Sequence, residues 1–318
     1  MGNGMMIALI VIGALLVLGI LGWYLASWYI FKFLFSKPPR SKDIPAFYIG
    51  SPHYKVSQAG LALMKNMEVE DQYLTSRDGL RLHGYLFPAP QGDGKKFVIG
   101  VHGYRSYARP ECAPYVAFYH SLGYSMLMVD DRAHAPSEGD YIGFGILDRL
   151  DVVDWAKQLV KTYGQDTQIL LHGVSMGGAT VMAVSGEDDL PEQVKGIVSD
   201  CGYSSPWEIL TYNLKHMAHL PAGLFLNQVE RFCKKKIGMN LHDYAAVDQV
   251  KKAKVPMLFV HGMQDKMVPP AMVQQVYDAC AAPKRLLTVE EAGHGESIAF
   301  APDEYHRAIM ELFHIEKP

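Results

Sequence analysis

The stretch Gln168-Ile169-Leu170-Leu171-His172-Gly173-Val174-Ser175-Met176-Gly177-Gly178-Ala179-Thr180-Val181-Met182-Ala183-Val184 decides the fold. Gln168 to Leu171 is a short apolar run of the kind buried in a parallel sheet, and Ala179 to Val184 reads as a helix. Between them Gly173-Val174-Ser175-Met176-Gly177 fits Gly-x-Ser-x-Gly, a pattern that sets a serine on a sharp strand-to-helix turn. The flanking glycines have a physical purpose, because side chains at such a strained turn would collide with neighbouring backbone.

Outward from this stretch the same alternation repeats. Strand-like runs are expected at Gln72 to Thr75, Leu82 to Phe87, Phe97 to Val101, Ser125 to Val129, Val194 to Ser199, Val255 to Val260 and Arg285 to Val289. Asp78-Gly79 joins the first two as a hairpin signal. Ile146 to Tyr163 has a broad apolar face at helical spacing, through Leu147, Leu150, Val153, Trp155, Leu159 and Val160. Strands alternating with helices predict an α/β fold, with a mostly parallel central sheet covered by helices on both faces. In such sheets ligands bind at the carboxyl ends of the strands, so the residues that end each run become the site candidates.

A serine hydroxyl needs a base to become a nucleophile, and the base needs an orienting carboxylate. Val255 to Val260 leads into His261-Gly262-Met263-Gln264-Asp265, and Arg285 to Val289 leads into Glu290-Glu291-Ala292-Gly293-His294-Gly295. The chain order Ser175, Asp265, His294 is the order this architecture expects. Asp265 would orient and charge-stabilise His294, which would take and return the serine proton. Asp200 and Asp130 also end strand runs and are the rival carboxylates; Val268-Pro269 after Asp265 favours Asp265. His102, His134, His172 and His261 are read as loop-stabilising or core histidines. The triad would work unaided, so neither a metal nor an organic cofactor is implied.

These residues resemble the α/β-hydrolases over about Glu68 to His314. The likeness rests on His-Gly-Tyr at 102 to 104, Asp-Arg-x-His-x-x-Ser-Glu-Gly from Asp131 to Gly139, the elbow at Ser175, His-Gly-x-x-Asp from His261, and Gly-His at 293 to 294. Within that superfamily the chain is most similar to bacterial membrane-anchored serine hydrolases related to the serine aminopeptidase and feruloyl-esterase-like branches. The resemblance implies an oxyanion hole made by the backbone N–H groups of Tyr104 and Met176, and a helical cap insertion over the site. Where the family loop often reads Arg-Gly-His-Gly, this chain has Arg132-Ala133-His134-Ala135. Alanine disfavours positive φ, so the loop departs here from the family pattern.

The N-terminus is a different object. From Ile7 to Phe31 there are 25 residues without a charge, a helix of roughly 37 Å, long enough to cross a bilayer core with tilt. Trp23, Tyr24, Trp28 and Tyr29 form an interfacial belt, and Lys32, Lys37, Arg40 and Lys42 follow. A transmembrane anchor is expected over 1–36, a juxtamembrane linker or neck over 37–67, and the hydrolase domain over 68–318. The positive-inside rule puts that domain on the cytoplasmic side of the cell membrane, with the extracytoplasmic side as the alternative. Gly22 and Ala26 have the small-xxx-small spacing of a helix dimer face, a weak pointer to a homodimer. The segment from Ile44 to Met67 is open to two arrangements, a helix packed on the domain or a neck above the membrane.

The whole chain has 30 basic and 33 acidic residues, a balance that gives no general reason to bind nucleic acid. Cys112, Cys201, Cys233 and Cys280 lie far apart and match no disulfide or zinc pattern. The cap insertion, about 203–250, is rich in apolar residues and carries Arg231 and Lys234 to Lys236. Two readings stand. One is a cap with a core-facing apolar side and solvated lysines; the other admits an acyl or aryl group while the lysines rest on anionic lipid. The function expected is hydrolysis of a carboxylic ester or thioester, lipophilic in character, through an acyl-enzyme. Peptidase or amidase chemistry with the same triad, or a non-catalytic membrane scaffold, are the alternatives.

Overall fold

Side chains along the central strands alternate between two cores, as the two-residue period of a strand requires. From β3 (Lys96–Val101), β4 (Ser125–Asp130), β5 (Gln168–Val174) and β7 (Met257–Gly262), the residues Phe97, Ile99, Leu127, Val129, Ile169 and Phe259 enter one core. Their neighbours Val98, Met126, Met128, Leu170, Leu258 and Val260 enter the other. The computed structural model describes residues 2–38, 49–134 and 136–316, so Arg40, Lys42 and the part of the expected linker from 39 to 48, with Ala135, lie outside the described residues.

Helix α1 (Asn3–Phe35) comes first, then α2 (Pro52–Met64), β1 (Glu70–Thr75) and β2 (Arg81–Phe87). Around β3, β4 and β5 follow α3 (Ala108–Ser121), α4 (Asp148–Tyr163) and α5 (Met176–Val184). After β6 (Val194–Asp200) the cap insertion forms α6 (Pro206–His216), α7 (Ala222–Lys236) and the single turn α8 (Ala246–Gln249). The chain closes with β7, α9 (Ala271–Ala279), β8 (Lys284–Val289), α10 (Ser297–Phe300) and α11 (Pro302–Leu312). The strands form one eight-stranded sheet in the order β1-β2-β4-β3-β5-β6-β7-β8. Among the described residues the β1–β2 and β2–β4 pairings of this sheet are antiparallel and its other five pairings are parallel. This is the mostly parallel, doubly covered α/β-hydrolase sheet, with every expected run realised as a strand.

The first core is covered by α4, α5, α6, α7, α9 and the end of α1, the second by α2, α3 and α11. Register brings the strand ends to one edge: Val101 pairs with Gly173, Val174 with Asp200, Asp200 with Val260, and Gly262 with Val289. The loops that follow β3, β5, β6, β7 and β8 therefore converge.

Helix α1 is long and apolar enough to cross a membrane, a property shared by anchors and signal sequences. Its two halves differ. No residue from Met5 to Leu21 is buried, whereas Ser27, Ile30, Phe31 and Phe35 are packed into the domain. The helix stops at Ser36, whose extended backbone bridges Tyr141, and Ile142 N–H donates to Phe35 O at 2.8 Å. Of the two arrangements open for the next segment, α2 adopts the packed one. Ser51 caps it by accepting from Tyr54 N–H at 3.1 Å. Its Gly60 sits so close to α3 that a Cβ there would lie 2.2 Å from Ala113 O.

Candidate active site

Ser175 stands between β5 and α5 with φ 57° and ψ −115°, a left-handed backbone that costs a serine about 1–3 kcal/mol. Both flanking glycines are required by close backbone approach. A Cβ on Gly173 would lie 2.1 Å from Gly177 O, and one on Gly177 would lie 2.1 Å from Val101 O. Ser175 N–H donates to Asp200 O at 2.8 Å, which ties the turn to the neighbouring strand. The hydroxyl is held at the N-terminus of α5, where free backbone N–H groups favour developing negative charge.

Across the cleft, His294 Nδ1–H donates to Asp265 Oδ2 at 2.7 Å. That leaves Nε2 to accept from the Ser175 hydroxyl at 2.9 Å. Asp265 is itself held, because Oδ1 accepts from the N–H groups of Met267 at 2.8 Å and Val268 at 2.9 Å. Burial alone would raise its pKa, but His294, Val268 N–H and His261 outweigh that and hold the carboxyl below the ordinary range. For His294, burial works toward a lower pKa, and Cys201 and Asp265 raise it to a net position well above the ordinary value. Burial pushes the Cys201 thiol itself up to about 12, so it is neutral at pH 7. We attribute the upward direction to Asp265.

The histidine loop is braced on both sides. Gly293 N–H donates to Glu296 Oε2 at 2.9 Å, and His53 of α2 has Nδ1 2.9 Å from Gly295 O. Gly103 backs onto the serine: a Cβ there would lie 3.2 Å from Ser175 Cβ. Tyr104 is the next residue after Gly103, and Met176 follows the serine directly. Among the described residues neither the Tyr104 nor the Met176 N–H is taken by a backbone carbonyl.

The rival carboxylates are engaged elsewhere. Asp130 Oδ2 lies 2.8 Å from His83 Nδ1. Asp200 Oδ2 accepts from Tyr305 at 3.0 Å and Tyr115 at 3.4 Å, and burial, partly offset by Tyr305 and His294, lifts its carboxyl to about 7. The other histidines are structural. His102 Nδ1–H donates to Gly103 O at 2.8 Å and its Nε2 accepts from Asp131 N–H at 3.1 Å. His134 bonds Arg132 O, His261 bonds Val268 O, and His172 lies between Tyr119 and Tyr305. Burial lowers all four pKa values, that of His172 to about 3, so they stay neutral. Ala133 takes the left-handed conformation, φ 64°, despite its Cβ. The loop after β4 therefore keeps a turn that glycine would make without strain, at a cost of about 1–2 kcal/mol.

Two neighbours of the site were not singled out from the sequence. Cys201, at the end of β6, places Sγ 4.0 Å from His294 Nε2; its position at a strand end was the available signal. Cys201, Asp265 and His294 bring ligand atoms within 4.8 Å of one another. Asp265 and Cys201 face opposite nitrogens of one imidazole, Nδ1 and Nε2, so the three side chains do not converge on one point as metal ligands would. The second neighbour is α1. Tyr104 Oη–H donates to Leu34 O at 2.8 Å, and Arg105 donates to Phe33 O and to Tyr104 Oη. The Phe144 ring contacts those of Tyr104 and Phe35 at tilted angles, with centroids 5.2 and 4.8 Å away. The spacing Ser27-Phe31-Phe35 along one helical face was the signal for that contact.

Comparisons with known proteins agree with this architecture. The model of the prolyl oligopeptidase family matches residues 144–313. The uncharacterized protein YqkD of Bacillus subtilis is 24% identical over 62% of this chain and 65% of its own length, so the chain spans just under two thirds of that relative. Among solved structures, the esterase Pf2001 of Pyrococcus furiosus superposes with TM-score 0.65 at 22% identity, over 87% of this chain and 98% of that one. The acylaminoacyl peptidase of Pyrococcus horikoshii gives TM-score 0.57 at 21% identity, over 81% of this chain and 43% of the peptidase. At these identities the structural likenesses speak to the fold.

Proposed function

Because the chain belongs to the prolyl oligopeptidase family and superposes on an esterase and a peptidase, we propose that it is a membrane-anchored serine hydrolase acting on lipophilic carboxylic esters or thioesters. The observation that carries this reading is the unbroken line from Asp265 Oδ2 through His294 to Ser175 Oγ, with hydrogen bonds of 2.7 and 2.9 Å. In the proposed reaction Ser175 Oγ attacks the acyl carbonyl carbon while its proton passes to His294 Nε2. The N–H groups of Tyr104 and Met176 donate to the developing oxyanion, a contribution of about 2.7–4 kcal/mol per donor in comparable sites. His294 then protonates the leaving alkoxide or thiolate. Water repeats the sequence on the acyl-enzyme, releasing the acid and returning the proton to Ser175.

Ester rather than peptide substrates are favoured by the fate of Arg105, the cation next to Tyr104. Its guanidinium is spent on the Phe33 carbonyl and the Tyr104 hydroxyl, which leaves it engaged rather than offered to a peptide carboxylate. The peptidase neighbour and the family's name favour amide cleavage as the second reading. The anchor is supported by the burial of Ser27, Ile30, Phe31 and Phe35, since removal of a cleaved leader would strip these side chains from the core. Lys32 and Lys37 beyond the belt favour a cytoplasmic domain.

A fluorophosphonate probe on the purified full chain tests the mechanism. Labelling that disappears in Ser175→Ala supports it, and no labelling of the folded wild type overturns it. A series of p-nitrophenyl esters of increasing chain length, beside an acyl-amino-acid p-nitroanilide, tests the substrate class. Rates that rise with acyl length support the lipophilic ester; faster cleavage of the anilide favours the peptidase.

A further inference from the structure

The end of α1 is fixed to the cap. Trp23 Nε1–H donates to Leu224 O at 2.8 Å, a contact between residues 201 apart in sequence. Tyr24, Trp28 and Phe31 set their rings around Phe232 of α7 with centroids 5.3, 5.1 and 5.7 Å away. Lys236 Nζ lies 5.9 Å from the Trp28 ring centroid. With Phe31 and Phe35 wholly buried, the domain is joined to α1 by a packed core, and the direction of the helix fixes how the domain faces a bilayer that α1 crosses.

Depth follows from helical rise. Met5 to Leu21, with no buried residue, rise about 26 Å, close to the roughly 30 Å of a bilayer's hydrocarbon core. The bilayer core therefore ends near Trp23, where an indole is best placed. Leu224 shares that level through its hydrogen bond, and Lys236 beside Trp28 is about 7 Å nearer the water. The turn between α6 and α7 leads into Leu224, and Met217 and Leu224 are each 55% exposed. Leu25, Tyr29 and Phe33 of α1 are also exposed apolar side chains, and Lys215 of α6 and Lys234 and Lys235 of α7 are exposed. Apolar tips at the interface with cations at headgroup level are the arrangement of an element lying in an anionic membrane surface.

We propose that the turn between α6 and α7 is a membrane-contacting surface: Met217 and Leu224 enter the interfacial layer of the leaflet from which the C-terminal half of α1 emerges. The basic end of α7 rests at the headgroups, the domain is docked with its cap toward the membrane, and substrate reaches the cap from that leaflet. This rests on the reading of α1 as a membrane span.

The test uses the full chain in vesicles of phosphatidylcholine and phosphatidylglycerol carrying doxyl-labelled acyl chains. Single cysteines introduced as Met217→Cys, Leu224→Cys, Val17→Cys and Asp188→Cys are labelled with a thiol-reactive fluorophore; the four native cysteines are buried and wild-type protein gives the background. Asp188 lies in the exposed loop after α5, away from the strand ends that carry the site. Quenching at 217 and 224 at least twofold stronger than at 188, together with quenching at 17, is the expected result. Quenching at 17 with 217 and 224 no different from 188 overturns the docking and leaves the anchor standing. No quenching at 17 overturns both. None of these outcomes depends on hydrolase activity, so they stay separate from the proposed reaction.

Discussion

The phenol of Tyr104 donates to the carbonyl of Leu34 at 2.8 Å, and so joins the loop behind Ser175 to the last turn of the N-terminal helix. Carbonyls at a helix C-terminus have no intrahelical donors, and Arg105 and Tyr104 supply them here. The N-terminal helix is thereby part of the scaffold that positions a candidate oxyanion donor. Tyr104→Phe removes this tie and leaves the backbone N–H in place. The net worth of such a bond is about 1 kcal/mol, so kcat for p-nitrophenyl acetate should fall about fivefold with KM unchanged. Steady-state kinetics check it, and an unchanged kcat removes the positioning role.

The pH profile follows from the raised His294 pKa. The base must be neutral to accept the serine proton, so kcat/KM should fall as pH drops through a value above the ordinary 6.5 of histidine. Asp265→Asn should cost about 10⁴ in kcat and move the residual acid limb downward. Cys201→Ala should leave the acid limb where it is, because the thiol is neutral. A limb that follows Cys201 instead would reassign the cause.

Asp200 makes stability depend on pH. Its carboxyl is pushed up to about 7 from an ordinary 3.8, chiefly by burial. The folded chain therefore favours the protonated form, and the resulting stability is complete below pH 3.8 and lost as pH rises through about 7. Asp200→Asn cannot ionise and should flatten that dependence, gaining on wild type as pH goes from 4 to 8. Thermal unfolding across this range measures it; parallel curves for the two proteins would contradict the assignment.

Two glycine substitutions should have opposite signs. In Gly177→Ala the new methyl meets Val101 O at 2.1 Å, a backbone atom that cannot yield without moving β3. Such overpacking should lower stability by at least 3 kcal/mol, or prevent folding. In Gly223→Ala, within α7, the methyl enters open space, and helix propensity should add about 0.5 kcal/mol. Chemical denaturation of both variants checks the contrast.

The strand positions were legible because burial on both faces demands short apolar runs, and each expected run became a strand. The elbow was legible because its glycines answer a backbone contact within a few residues: Gly173 meets Gly177. Asp265 and His294 were legible as candidates because register in a parallel sheet sends the ends of β7 and β8 to the edge where β5 ends. The nearness of Cys201 to His294 was not, since a strand-end cysteine carries no local mark of its partner.

By itself, then, the sequence determined the order of elements, the strained serine turn and an apolar N-terminal helix, all of which depend on residue types and spacings within one segment. Tertiary structure alone decided that α2 braces the histidine loop through His53 and Gly295, and that Trp23 meets Leu224. It also decided that one face of the last turns of an apolar helix, at Ser27, Ile30, Phe31 and Phe35, packs into the domain. These contacts join residues some 200 positions apart, and the free energy that selects them comes from shape-matched burial of Phe31, Phe35 and Phe232, which no single segment encodes.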